Sequence, residues 1–349
     1  MSATVRLEPI GRFPGLRVLA WHAGVLYAGR GYALLRWEPG AGRWTRHASF
    51  SPERWRRVTS RNRLSARLVR DGFHALAGLS DGTLAAVFPG AIGVLRPGSD
   101  RFQAVYRVPR GTRPLAITAT PSGRLYWGEY FDNPGREAVH VYGSADAGAS
   151  WEVVYTFPPG TIRHVHSITY DPYGDRLWVL TGDEGEECRI LRVATDWSSV
   201  EVVRSGGQQA RAVTLVPGAD AVYFATDTPL EANYIYRLDH RGRLDRLAAI
   251  DGSSFWSCRA GGALFFSTAV EPSRVNLSRY ATLYGGADGG GWSALARWAR
   301  DGWPLALFQY ANIVLPSGAN DGDVLAASGL AVRGQDQVAH LWRTRVADG

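Results

Sequence analysis

His164 and His166 are two residues apart, so on a β-strand both imidazoles project to the same side. Asp183 follows after a short interval, and Arg211 and Asp227 are separated by nearly the same interval further along the chain. Two imidazoles and a carboxylate make a ligand set for a divalent metal, with His164, His166 and Asp183 as donors. The same residues suit proton transfer: one imidazole acts as general base on an acidic sugar while Arg211 neutralises its carboxylate. They are equally able to hydrogen-bond neighbouring loops. Glu129 and Asp227, if they flank one opening, would suit glycoside hydrolysis, whereas Arg113 with Glu129 and Arg211 with Asp227 would also serve as structural ion pairs. The expected catalytic set is therefore His166, Asp183, Asp227 and Glu129, and the expected substrate contacts are Arg113, Tyr130, His164, Arg211, Asn233, Trp256 and Glu271.

These groups need a scaffold that brings distant segments to one place, and the chain shows a repeat able to do so. A strand-like core recurs as Val25-Leu-Tyr-Ala-Gly, Thr83-Leu-Ala-Ala-Val, Arg124-Leu-Tyr-Trp-Gly, Arg176-Leu-Trp-Val-Leu, Ala221-Val-Tyr-Phe-Ala, Ala263-Leu-Phe-Phe-Ser and Val324-Leu-Ala-Ala-Ser. Seven copies in 349 residues mean about 50 residues per unit, the period of propeller blades. Apolar segments precede and follow each copy, with turn residues such as Pro121-Ser-Gly and Pro172-Tyr-Gly between them. Helical periodicity is confined to Trp292–Arg300, and Arg54-Trp55-Arg56-Arg57 reads as a solvated loop. An all-β, seven-bladed propeller is expected, as one domain with units near 13–57, 58–110, 111–161, 162–208, 209–254, 255–308 and 309–349. The last unit lacks a strand, so residues 3–9 are expected to supply it, with Thr4 to Leu7 beside Val338 to Trp342.

In such a blade the start of the innermost strand and the end of the second lie side by side at one mouth of the ring. Arg113, Glu129 and Tyr130 then share one blade, His164, His166 and Asp183 the next, Arg211 and Asp227 the third, and Trp256 and Glu271 the fourth. The polar stretch Thr226 to Tyr234, which includes Asn233, and a segment from Glu271 to Gly291 would stand over this mouth.

Composition removes several functions. All 39 basic residues are Arg, and against 32 acidic residues the net charge is +7. Without lysine there is no Schiff-base chemistry, no phosphate-loop clamp and no kinase-type lysine. Arginine suits bidentate binding of carboxylates, although codon bias alone would give the same count. Cys188 and Cys258 are too few for a disulfide framework or a cysteine-rich zinc module. No long apolar run indicates a membrane span, and the chain start lacks a signal-peptide pattern, which points to the cytoplasm. Arginines do not alternate with aromatics in the manner of a nucleic-acid surface, so nucleic acid is not an expected partner.

Ser144-Ala-Asp146-Ala-Gly148-Ala-Ser150-Trp151 resembles the Asp-box, or BNR repeat, of the sialidase-like propellers, with Ser150 in place of threonine. In that family the motif joins third and fourth strands as a folding device. A weaker copy is present at Ala287-Asp288-Gly-Gly290-Gly-Trp292. No Arg-Ile-Pro element is present, so the resemblance is to the wider family rather than to true sialidases. It implies a carbohydrate-active propeller, a glycoside hydrolase or polysaccharide lyase cleaving an acidic glycan at the channel mouth, with an acidic saccharide as partner. The alternative it leaves open is a non-catalytic propeller that binds glycan or protein.

Overall fold

The computed structural model describes residues 3–287 and 290–347, and the repeat positions Leu26, Leu84, Leu125, Leu177, Val222, Leu264 and Leu325 are each at most 1% exposed in it. Each lies in the second strand of a four-stranded antiparallel set; Ser49 and Phe50 pair with Arg101 and Phe102 to link the first set to the second, and Ala269 and Val270 pair with Asn312 and Ala311 to link the sixth to the last. The first sheet comprises Arg17–His22, Val25–Arg30, Ala33–Trp37 and Thr45–Phe50. The second comprises Ala75–Gly78, Leu84–Phe88, Ala91–Leu95 and Arg101–Arg107. Thr118–Ala119, Leu125–Gly128, Val139–Ser144 and Glu152–Phe157 form the third; Val165–Asp171, Arg176–Thr181, Arg189–Ala194 and Val200–Ser205 form the fourth. The fifth has Ala212–Pro217, Ala221–Thr226, Asn233–Asp239 and Leu244–Ile250, and the sixth Ser254–Ala260, Ala263–Val270, Tyr280–Ala287 and Gly290–Ala299. Second strands such as Leu84–Phe88 and Ala263–Val270 are buried at every position, because neighbouring sheets cover both faces. Fourth strands such as Val200–Ser205 are only partly covered, with no position fully buried in this one, and mix polar residues with valine.

The apolar clusters show how the sheets follow one another. Leu34 packs with Phe88, Val94 with Trp127, Val141 with Val179, Trp178 with Phe224, Tyr223 with Phe266, and Phe265 with Ile313, each pair drawn from consecutive sheets. The last cluster returns to the beginning, joining Val18 and Trp37 to Val324 and Leu341. A series of sheets that each pack on the next and finally on the first is a β-propeller.

The final sheet holds Ala311–Val314, Val324–Leu330 and Val338–Ala347, and its fourth strand is Thr4–Pro14 from the other end of the chain. The partner strand is the expected one, but the register differs. Thr4 faces Ala347 and Leu7 faces Thr344, whereas Pro9 to Pro14 face Trp342 to Val338, with a bulge between Pro9 and Gly11. The strand extends past residue 9 to Pro14 because the chain must reach the turn at Gly15 that starts the first sheet.

Three local expectations are corrected. Residues 292–299 belong to a strand paired with Tyr280–Ala287, and Arg300 forms an isolated bridge with Val332, so no helix is present there. The loop expected around Arg54 contains two short helices, Arg54–Thr59 and Arg63–Leu68; the second is capped by Asn62 Oδ1, which accepts from Leu64 N at 2.8 Å. The segment from Glu271 to Gly291 is not a loop throughout: residues 271–279 form the connection, while Tyr280–Ala287 and the residues from Gly290 onward are strand. Asp288 of the weaker motif copy lies outside the described residues.

The turn at Ser144–Trp151 joins the third and fourth strands of its sheet. Asp146 Oδ1 accepts from Ser144 Oγ and Ser150 N, both at 2.8 Å, while Ser144 Oγ accepts from Gly148 N at 2.8 Å. Gly148 has φ +84, and a Cβ there would lie 2.7 Å from a Val94 methyl of the neighbouring sheet. Trp151 packs against Tyr106 and Trp127 in the cluster between the second and third sheets. The motif is thus a local turn that also ties two sheets together.

Candidate functional site

The first strand of the fourth sheet carries a bulge in which Val165 pairs with Thr181 and Ser167 with Leu180, leaving His166 as the extra residue. Bulges on inner strands re-aim side chains, and this one brings His166 onto His164. The two rings meet through their Nε2 atoms at 3.1 Å, while His166 Nδ1 lies 2.8 Å from Ala212 O and His164 Nδ1 3.2 Å from Phe131 O. Asp183 faces both rings, at 3.3 Å from His166 Nε2 and 3.4 Å from His164 Nε2. It reaches this position through Gly182, whose φ is +136 and where a Cβ would sit 2.6 Å from Cys188 Cα. Only glycine permits that turn.

Arg211 joins this cluster to the fifth sheet. Its guanidinium lies 3.2 Å from Asp183 Oδ1 and 3.3 Å from Asp227 Oδ2, and it donates to Asp183 O at 3.2 Å. His166, Asp183, Arg211 and Asp227 therefore form one contiguous group, as the matched strand ends imply. Burial pushes the Asp183 carboxyl up, but the two histidines and Arg211 outweigh it and hold it well below the usual carboxylate range. Asp227 goes the other way: burial, reinforced by Glu271 and only partly opposed by Arg211, pushes it up to about 7. Burial also lowers His166, although its bond to Asp183 opposes the shift.

A cavity of about 400 Å³ opens beside the cluster, lined by Arg70, Arg113, Tyr130, Arg163, His164 and Asp183 among others. The Tyr130 ring lies 4.2 Å from that of His164, and burial, with Asp183 and Asp227, raises its hydroxyl to about 12. Arg113 is lowered to about 10 by burial and then by Arg70 and Arg17, and burial lowers Arg17 to about 10 as well. Among the described residues, no carboxylate pairs with Arg17, Arg70 or Arg113. Arg70 also lines a second cavity of about 460 Å³ with Arg17 and His74, so the two spaces share one cation.

Other expected contacts lie elsewhere. Glu129 is buried and paired with Arg110, not Arg113; both its oxygens are taken by that guanidinium, and one also accepts from His140 N at 2.8 Å. It therefore has no lone reactive oxygen for a two-carboxylate mechanism with Asp227. The Asn233 side chain accepts from Thr226 Oγ1 and Thr228 N and donates to Thr228 O and Asn276 Oδ1, so it holds its own loop rather than a ligand. Trp256 packs in the clusters of the last sheet, with the Arg17 guanidinium 5.8 Å from its ring. Glu271 has a buried oxygen without a partner and acts on the site through the charge it places near Asp227. Two arginines of this cavity escaped sequence reasoning. Arg163 adjoins His164 and stands 3.7 Å from Asp183, a position its neighbour could have signalled. Arg70 follows the short helices in a left-handed conformation, φ 57, and no strand pattern points to it.

Fold and site together define a β-propeller with a charged mouth. No family model and no curated protein matches the chain. Among solved structures it is similar to the WD40 propeller domain of Doa1, with 10% identity, TM-score 0.58 and 97% of each chain covered. It is also similar to a chain of the mitotic checkpoint complex, with 11% identity, TM-score 0.55 and coverage of 96% of this chain and 94% of that one. An extracellular domain from B. thetaiotaomicron matches with 12% identity and TM-score 0.58 over 97% of this chain and 40% of its own. Similarity at these identities speaks for the fold alone. No helix among the described residues is long and apolar enough to cross a membrane.

Proposed function

We propose that the chain is a seven-bladed propeller of the Asp-box type, its blades being the sheets described above, that binds an acidic saccharide across the mouth and cleaves it. The observation that carries this is the set of Arg17, Arg70 and Arg113, which crowd one another without a carboxylate partner beside an open cavity. Cations held against mutual repulsion lose that cost when an anion binds between them, and arginine's fork suits a sugar carboxylate. Proton-transfer groups stand close by: Tyr130 stays protonated at neutral pH, and Asp227 titrates near it. The capture of Glu129 by Arg110 argues for elimination over hydrolysis by two carboxylates. Cys188 and Cys258, both buried and unpaired, favour the cytoplasm.

Calorimetric titration with uronate oligosaccharides and with neutral oligosaccharides of equal length tests the binding. The acidic series should bind, and Arg113→Gln and Arg70→Gln should each weaken it by about tenfold or more. Equal affinity for neutral sugars, or no binding of either, would refute the proposal. Product analysis then separates the chemistries, with unsaturated ends marking elimination and new saturated reducing ends marking hydrolysis. Binding without turnover would make the propeller a glycan-binding module, a reading favoured by the structural engagement of Glu129 and Asn233.

A further inference from the structure

The geometry points to a divalent transition-metal site at His164 Nε2, His166 Nε2 and Asp183, open towards the cavity and completed by the substrate's own carboxylate. It rests on the proposed acidic substrate only for that last ligand. The protein ligands follow from hydrogen bonding. His164 Nδ1 faces Phe131 O and His166 Nδ1 faces Ala212 O, so each ring donates its one proton to a main-chain carbonyl when neutral. Both Nε2 atoms then present lone pairs, and they present them to each other and to a carboxylate. Three acceptors facing one another repel unless a cation lies between them.

The dimensions suit a metal. Ligands at about 2.0–2.1 Å from an ion are about 2.8–3.0 Å apart in octahedral and about 3.3–3.4 Å apart in tetrahedral arrangement. Here the two Nε2 atoms are 3.1 Å apart, and the carboxylate offers one oxygen to each, Oδ1 at 3.3 Å from His166 Nε2 and Oδ2 at 3.4 Å from His164 Nε2. Backbone carbonyls on the distal nitrogens are the usual outer partners of metal-bound imidazole, fixing tautomer and ring orientation. Arg211 at 3.2 Å from Asp183 Oδ1 and Arg163 at 3.7 Å from Oδ2 play the same part for the carboxylate.

Two imidazoles and one carboxylate select borderline ions such as Zn²⁺ or Ni²⁺ over Ca²⁺ and Mg²⁺, which prefer all-oxygen shells. Three protein ligands beside a cavity leave a position for substrate, as in catalytic rather than structural sites. The surrounding arginines oppose a cation, so an anionic sugar should strengthen metal binding, and the metal should strengthen sugar binding by the same factor. With a metal in place, His164 and His166 would be its ligands and would be withdrawn from proton transfer.

The test is calorimetric titration of the chelator-treated full chain with Zn²⁺ and Ni²⁺, and separately with Mg²⁺ and Ca²⁺, without saccharide. One equivalent of Zn²⁺ or Ni²⁺ should bind, at least 100-fold more tightly than Mg²⁺ or Ca²⁺. His166→Ala and His164→Ala should each weaken it about 10–100-fold while retaining the strand-rich circular-dichroism spectrum of the parent. Co²⁺ added to the wild type should give the visible absorption of a nitrogen-ligated ion, lost in both variants, and serves as a readout independent of heat. Absence of stoichiometric binding, affinity unchanged in both variants, or an Nε2-bound proton seen by nitrogen NMR in the Zn²⁺-treated protein would each overturn the site. Saccharide titration of the chelated protein is the separate arm. Uronate binding there without metal binding leaves the proposed function standing and removes this inference, whereas metal binding without uronate binding does the reverse.

Discussion

Removing residues 3–8 should open the last sheet, and the cost can be worked from the ladder. The truncation strips the positions that face Ala347 to Arg343, including Val5, 5% exposed within a cluster with Phe265 and Ile313, and the partly buried Leu7. Burial of two such side chains is worth about 1.5–3 kcal/mol each, giving about 4 kcal/mol before any lost hydrogen bonds. Unfolding entropy is about 2.1 cal/mol/K per residue, so 349 residues give about 0.7 kcal/mol/K. The melting temperature should therefore fall by about 6 °C, and Val5→Ala alone, losing two carbons at about 2 kcal/mol, by about 3 °C. Differential scanning calorimetry reads both, with Glu8→Ala at an exposed position as the control that should shift by less than about 1 °C. A truncated chain melting within 1 °C of the parent would show that the terminal strand adds nothing to the ring. The unpaired edge of Val338–Ala347 should also raise aggregation on heating.

Asp146→Ala removes three hydrogen bonds from an exposed carboxylate and should cost about 1–2 kcal/mol, read as a fall of about 2–3 °C, with sugar binding per folded molecule unchanged. Glu129→Gln should destabilise by about 2–3 kcal/mol in urea titration, because it breaks a partly buried pair with Arg110, but leave saccharide affinity intact; a loss of affinity with normal stability would return Glu129 to the site. The Asp227 carboxyl is raised in the folded state, so its stabilising contribution is complete below about pH 4 and is lost as pH rises through about 7. Asp227→Asn should flatten that part of the stability profile between about pH 4 and 7, and an unchanged slope would mean the group is ionised throughout.

Strand order, the turn at Asp146 and the identity of the closing strand were legible in the sequence, because they depend on local properties. A second strand covered on both faces must be apolar along its length, and that leaves a run such as Ala221-Val-Tyr-Phe-Ala in plain view. The alignment of strand ends likewise placed His166, Asp183, Arg211 and Asp227 in one group, since register within a meander follows from short turns. Partner choice was not legible. Glu129 had Arg113 and Arg110 within reach, and only the path of the chain after Val108 gives it to Arg110. The register of Thr4–Pro14 was equally hidden, because strands from opposite chain ends have no turn between them to set it. Arg70 reaches the mouth through a helical connection with no periodicity tying it to the repeat, and the bulge at His166 depends on how the fourth sheet packs on its neighbours. Residue types and strand pattern determined which chemistries were available and at which end of the ring; side-chain pairing across sheets, set by packing between segments remote in sequence, decided which charges were neutralised and which stayed free for a ligand.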